Sequence, residues 1–225
     1  FLAEEFTAAL RSLTTCAATP GVCTLTPSDV PLVAVDQERI TRIARDWAEH
    51  ADVANPRIVD LWPPTPLQAG LVFHSLYSGG RDAYTTQSCT DITGLLDADR
   101  LRDAAAALLD RHPSLRVGFW SDGTDTVQFV PAEVALRWRI VDLSGQDAAA
   151  QEVCCAQLRA EERDTPFDLA RPPLIRFVLI RLAPDHHRLV VTDHHTLLDG
   201  WSTPLFLREL FTLYANPTSP PPTAT

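Results

Sequence analysis

Val190-Val191-Thr192-Asp193-His194-His195-Thr196-Leu197-Leu198-Asp199-Gly200-Trp201-Ser202 is the stretch on which the reading of this chain turns. It passes from a β-branched strand to two adjacent histidines, then to an Asp-Gly turn and a helix start. Neighbouring side chains on a strand point to opposite faces. One imidazole therefore faces a cleft while the other packs inward. A neutral imidazole near physiological pH takes a proton from an ammonium or hydroxyl nucleophile. Asp199, four residues beyond His195, is placed to fix the turn by pairing with an arginine. Gly200 removes a side chain where a ligand or backbone comes close. On residue chemistry alone, other readings stay open. A His-His pair at a strand end also serves as plain packing, and Asp-Gly is a common turn. A metal reading lacks a third ligand nearby.

Working outward, two apolar runs, 173–182 and 188–193, flank Ala183-Pro184-Asp185-His186-His187 and predict a hairpin with both histidines solvent-exposed in its turn. Downstream, Ser202 is a plausible cap for a last helix with Leu205, Leu210 and Leu213 as its stripe. Upstream, helices are expected over about 146–163, over 97–111 and over 65–78, the last with Thr65 at its cap and Pro66 in its first turn. Strand content is expected at 84–93, 114–120, 125–131 and 135–142. Residues 36–50 predict a helix capped by Asp36 with Ile40, Ile43 and Trp47 on its apolar face. Residues 3–17 carry helical spacing at Phe6, Leu10 and Leu13, 24–35 form an extended strap, and the four prolines of 54–66 mark a linker. The tail from Asn216 to Thr225 is Pro/Ser/Thr-rich and expected to be disordered.

Composition narrows the class. Hydrophobic content of 45% and charged content of 21% suit a folded domain. No apolar run reaches the ~18 residues of a membrane span, and without a charged-then-apolar stretch no signal peptide is expected. A net charge of −10 argues against binding a phosphate backbone. Neither G-x-G-x-x-G nor a P-loop is present. The cysteines (16, 23, 89, 154 and 155) lack C-x-x-C spacing and read as reduced, buried thiols of a cytoplasmic protein. A chain that starts at Phe1, lacks Met and uses Arg for every basic residue is expected to be a piece of a longer protein from a GC-rich bacterium.

His194-His195-x-x-x-Asp199-Gly200 resembles the H-H-x-x-x-D-G signature of the condensation-domain superfamily, which also holds acyltransferases related to chloramphenicol acetyltransferase. Three further segments resemble the family's motifs in order. They are Thr65-Pro66-Leu67-Gln68-Ala69-Gly70-Leu71-Val72-Phe73-His74, Arg111-His112-Pro113-Ser114-Leu115-Arg116, and Pro166-Phe167-Asp168-Leu169 followed by Pro172-Pro173-Leu174-Ile175-Arg176. The resemblance spans 61 to about 215. It implies a chloramphenicol-acetyltransferase-like α/β sandwich forming the N-terminal subdomain of a V-shaped condensation domain of a nonribosomal peptide synthetase, preceded by a helical and extended linker. The second half of the V is expected to be missing, and residues 1–225 alone to be inactive.

Carried over by position, His195 becomes the catalytic residue, His194 and Asp199 its supports, and Gly200 and Trp201 the lining of the substrate channel. Arg111 and Arg116 become structural ion-pair formers, and His74 and His112 pack on their helices. The implied reaction joins a carrier-bound aminoacyl amine to an upstream carrier-bound peptidyl thioester, in antibiotic biosynthesis and related secondary metabolism. The resemblance implies no bound cofactor or metal; phosphopantetheine arms arrive on upstream and downstream carrier proteins. Other implied partners are the C-terminal condensation subdomain and neighbouring adenylation or epimerization domains, with no nucleic acid or membrane. Asp199-Gly200-Trp201-Ser202 departs from the epimerizing pattern, the intact His pair from the heterocyclizing one, and His195 from the P450-recruiting one. The first and third motifs resemble the subtype that accepts a donor ending in a D-amino acid. Thr26-Pro27-Ser28-Asp29-Val30-Pro31-Leu32 resembles the strap closing epimerization domains, so 1–60 is expected to be a linker or the end of such a domain, with 216–225 a tail. The alternatives are a coenzyme A-dependent acyltransferase of the same superfamily and a non-catalytic docking fragment.

Overall fold

The computed structural model describes residues 5–11, 25–77 and 83–217. Two sheets organise it. The larger has the order β2-β7-β6-β5, from β2 (Thr85–Thr93), β5 (Trp138–Asp142), β6 (Ile175–Ala183) and β7 (His186–His194). The smaller has the order β1-β4-β3, from β1 (Ile58–Trp62), β3 (Gly118–Ser121) and β4 (Thr126–Pro131). The larger sheet is antiparallel except for β5 and β6, which run parallel. A parallel pair needs a crossover, and α5 (Ala148–Asp164), capped by Asp147, supplies it.

Helices α4 (Ala98–Arg111) and α6 (Ser202–Ala215) share a core with Ile175, Phe177 and Leu179 of β6 and Leu189 and Val191 of β7. The opposite face, through Val178, Ile180 and Val190, packs on Cys155 of α5. Coverage on both faces explains why β6 reads as a continuous apolar run rather than an alternating one. The β7 hairpin is tighter than expected. Its turn is Pro184-Asp185, and β7 already begins at His186. His187 is consequently buried, contrary to its expected exposure, while His186 stays partly exposed. Burial and the neighbouring Arg181 hold the His187 imidazole below its ordinary range.

The N-terminal segment is integrated with the smaller sheet. Residues 5–11 form α1, whose Phe6 and Leu10 are exposed rather than packed. A 3₁₀ turn at Pro27–Asp29 is closed by reciprocal bonds between Thr26 and Asp29. α2 (Gln37–Ala48) is capped by Asp36, whose side chain accepts from the Arg39 N–H, and buries Ile40, Ile43 and Trp47. These residues form one core with Val30, Ile58, Leu61, Trp120 and Phe129. The stretch expected to be a linker thus contains β1, which pairs with β4 and runs across position 60. Its prolines flank that strand rather than interrupt it.

Other expectations shift locally. Residues 113–115 form a 3₁₀ turn instead of the start of β3. The inward stripe of α6 is Phe206, Leu210 and Leu213, with Leu205 exposed. Arg116 forms no ion pair among the described residues. It is buried and donates to the carbonyls of Leu109, Asp110 and Pro131, closing the end of α4. Arg111 does pair with Glu209, and the His112 ring joins them at 2.8 Å from the Glu209 carboxylate, instead of only packing. His74 is exposed. Cys155 is buried, Cys154 is intermediate and Cys89 is exposed, against the expectation of buried thiols; Cys16, Cys23 and the tail beyond Pro217 lie outside the described residues. No helix among the described residues is long and apolar enough to cross a membrane.

Candidate active site

β7 is the inner strand between β2 and β6, paired along its whole length on the β2 side, from His186↔Thr93 to His194↔Thr85. The site forms where it ends. The His195 N–H donates to the Tyr84 carbonyl at 2.8 Å, extending the β2 ladder one residue past the strand. Alternation therefore continues through the histidine pair.

His194 turns inward and is fully buried. The Thr196 N–H donates to its Nδ1, which makes Nδ1 an acceptor; the Thr196 hydroxyl lies 2.8 Å from the same nitrogen. The proton then sits on Nε2, 3.2 Å from the Ser75 hydroxyl of α3 (Pro66–Tyr77). Tyr84 and Phe167 meet the ring edge-on.

His195 takes the other face and is half-buried. Its Nδ1 lies 2.7 Å from the Leu198 carbonyl, and a carbonyl only accepts. Nδ1 therefore carries a proton, and in the neutral ring the lone pair is on Nε2. This fixed tautomer is the one a proton acceptor at Nε2 requires.

Asp199 holds the turn, but with no arginine partner among the described residues. Its carboxylate accepts from the Trp201 and Ser202 N–H groups at 3.1 and 2.7 Å, capping α6, and its own carbonyl accepts from Thr203. Ser202, expected as the cap, is the first helical residue. The hydrogen bonds from Ser202 hold the Asp199 carboxyl below the usual range. Gly200 has an ordinary φ, and a Cβ there would meet nothing within 4 Å. Nothing in the described chain requires glycine at this position, so the space beside it is open. Trp201 is 87% exposed. Beneath the loop, a cavity of about 200 Å³ is lined by His112, Leu197, Leu198, Leu205, Phe206 and Glu209, among others.

Sequence reasoning missed four supporting groups. Gln68 closes a box with Thr65 at the start of α3, then donates from Nε2 to the Thr196 carbonyl at 3.0 Å. It thereby ties the first motif to the histidine loop, and Gln128 of β4 braces it. Ser75 and Tyr84 hold the two histidines through the contacts above. The fourth is Asp193, 2% exposed, with an Oδ2 that has no hydrogen-bond partner among the described residues. Gln68 stands inside its motif without a role that spacing could reveal, and the signal for Asp193 is a carboxylate inside a β-branched run. Among the described residues, no group of three or more His, Cys, Asp or Glu side chains is arranged to hold a metal.

Burial raises the Asp193 carboxyl to about 6. The folded chain thus keeps this proton to a higher pH than the unfolded chain does. The Asp193 contribution to stability is most favourable in acid and falls as pH rises from the ordinary carboxylate range through about 6, by at most about 3 kcal/mol. Denaturant unfolding of wild type and Asp193→Asn should therefore diverge with rising pH, the variant becoming the more stable, and run parallel above about pH 7.

The condensation-domain family model matches residues 59–224. This chain belongs to the condensation-domain family. It is 34% identical over 215 residues to one of the linear gramicidin synthase subunits of Brevibacillus parabrevis, covering 95% of this chain and 4% of that one. It is 39% identical over 158 residues to another of these subunits from the same organism, covering 70% and 2%. Among solved structures, the starter condensation domain of rhizomide synthetase matches with a TM-score of 0.61 and 22% identity, over 72% of this chain and 41% of that one. The chain therefore spans a small part of the synthases it resembles and under half of the solved domain. The α/β sandwich expected from the motifs, an N-terminal portion of a condensation domain, is the observed fold. The β7 end with its histidine pair lies inside the family match.

Proposed function

We propose that this condensation-domain chain takes part in peptide-bond formation within a nonribosomal peptide synthetase, with His195 as its reactive side chain. The observation that carries this reading is the fixed His195 tautomer, with Nδ1–H held by Leu198 and the lone pair on Nε2. In the reaction, the α-amine of a downstream carrier's aminoacyl thioester attacks the carbonyl carbon of an upstream carrier's peptidyl thioester. A C–N bond forms, the C–S bond breaks, and the amine's proton leaves through His195 Nε2 as the thiol is released. Amines and thioesters react unaided, so orientation supplies much of the rate; well-placed reactants reach effective molarities of about 10⁵–10⁸ M. His194 and Asp199 hold the loop from either side, and the open space at Gly200 and the exposed Trp201 line the approach of the phosphopantetheine arm. That arm is carried by the partner proteins and is a substrate feature here.

Residues 61–215 are read as the N-terminal subdomain, completed by a C-terminal subdomain. Residues up to 60 are read as a linker from, or the end of, an upstream epimerization-type domain. The likeness of the Thr26–Asp29 strap to the one closing such domains supports this, and the packing of Val30 and α2 on the smaller sheet favours the linker. An upstream epimerase fits a condensing domain that takes D-terminated donors, and adenylation neighbours and a cytoplasmic location fit the same setting. In the complete synthetase, with carriers loaded by D- or L-terminated donors, the D donor is expected to be used faster by about 10-fold or more. Rates of dipeptidyl product measured side by side test this, and equal use of both donors contradicts the donor assignment.

A further inference from the structure

Asp193 takes no part in the bond exchange itself, yet it lies two residues before His195. Because His195 continues the β2 ladder through Tyr84, Asp193 and His195 lie on one face of the strand. On that face Asp193 is flanked by its register partners Thr86 of β2 and Ile175 of β6. The Thr86 hydroxyl sits 3.4 Å from the Asp193 carbonyl and also acts on its carboxyl, favouring the charged form, and Ile175 is apolar. The helices covering this face contribute Leu108, Phe206 and Leu210 to the core. Of the ionisable groups on these helices, Arg111 and Glu209 pair with each other, with His112 against the same carboxylate, and Arg102 pairs with Asp99 and Asp103. The titratable group that acts on Asp193 through space is His195. A carboxylate this deeply buried with an unpartnered oxygen is costly to folding. Titratable groups strongly perturbed by burial concentrate at functional sites.

We infer that Asp193 is a positioning residue for His195: a buried negative charge beside the imidazole that favours the proton His195 receives as the amine attacks. The inference rests on the reading of His195 given above. The positive charge leaving the attacking amine reaches an imidazole whose Nδ1 is already a donor, so the ring becomes a cation when Nε2 accepts. A neighbouring carboxylate stabilises that cation, and a neutral side chain does not. Removing the charge is expected to slow the reaction about tenfold, within the range that a positioned proton acceptor contributes.

The test compares wild type, Asp193→Asn, Asp193→Leu and His195→Ala in the complete synthetase, with loaded carriers, across about pH 5.5 to 8.5. Histidine ring NMR on the isotope-labelled condensation domain is read alongside. Asp193→Asn should lower kcat about tenfold at neutral pH and remove the rise in rate that accompanies Asp193 ionisation. The His195 ring signals should lose the inflection that tracks the carboxylate. Asp193→Leu, which removes the polar group altogether, should behave the same way and keeps the comparison readable if an amide fits poorly. If His195→Ala is inactive but both Asp193 variants keep the wild-type profile and ring signals, the role of Asp193 is overturned and peptide-bond formation through His195 stands. If His195→Ala retains full activity, both fall together.

Discussion

Replacing His195 with alanine is expected to lower peptide-bond formation about 10²–10⁴-fold, the range that a positioned proton acceptor supplies, with little change in folding. The local geometry explains the separation. His195 is half-buried at a strand end, and its ring is tied to the Leu198 carbonyl. The loop keeps its other ties, Gln68 to Thr196 and Asp199 to the start of α6. His195→Asn sharpens the result. An amide can still donate to Leu198 but offers no basic nitrogen, so it should be as slow as alanine. Rates of dipeptide release from loaded carriers, with thermal melts of the same samples, check both parts. A loss below about tenfold would assign the rate to orientation alone.

Gly118→Ala is expected to act in the opposite way, on the fold before the chemistry. Gly118 starts β3, and a Cβ there would collide with Cζ of Phe129, lie 2.7 Å from its Cε1 and 2.8 Å from Cδ of Pro172. Both neighbours are rings with little freedom to yield. Phe129 is 1% exposed in the core that holds α2 to the smaller sheet. The adjacent Phe119 N–H is bonded to the Leu169 carbonyl, which leads into β6. Relief must therefore move backbone on two sides. Overpacking of this kind costs about 1–3 kcal/mol and occasionally more; with both sides blocked, about 4 kcal/mol is expected. For a chain of this size that lowers Tm by roughly 8–16 °C, measurable by calorimetry.

The parts of the fold that declared themselves in the sequence are those governed by neighbours in the chain. Asp36 caps its helix as its position promised, and Thr65 stands at the start of α3 with its hydroxyl accepting from the Gln68 N–H. β6 and β7 stand where two apolar runs flank a turn. The misses needed distant partners. Ile58–Trp62 looks like a linker between prolines until β4 arrives to pair with it. Ser202 has a capping side chain, but Asp199 reaches the free N–H groups first because the turn places its carboxylate beneath them. The gap between the apolar runs puts His187 in the turn, yet the turn takes only two residues and the strand claims the rest.

The candidate site divides along the same line. The histidine pair, Asp199 and Gly200 are visible as a motif, and strand alternation already implies that one imidazole is buried. What sets the His195 tautomer is not visible, since Leu198 contributes through its carbonyl and not its side chain. Gln68 acts across 128 positions of chain. Asp193 reads as one more polar residue at a strand end, and its burial follows from helices that arrive from elsewhere in the sequence.

The most direct test of the central claim follows the acyl group itself. In the complete synthetase containing this chain, both carriers are loaded and the mass of each is followed by intact-protein mass spectrometry. Peptide-bond formation through this domain predicts that the downstream carrier gains the donor acyl mass while the upstream arm returns to the free thiol, and that neither change occurs in His195→Ala. A downstream carrier that stays at its aminoacyl mass with both arms demonstrably loaded would contradict it.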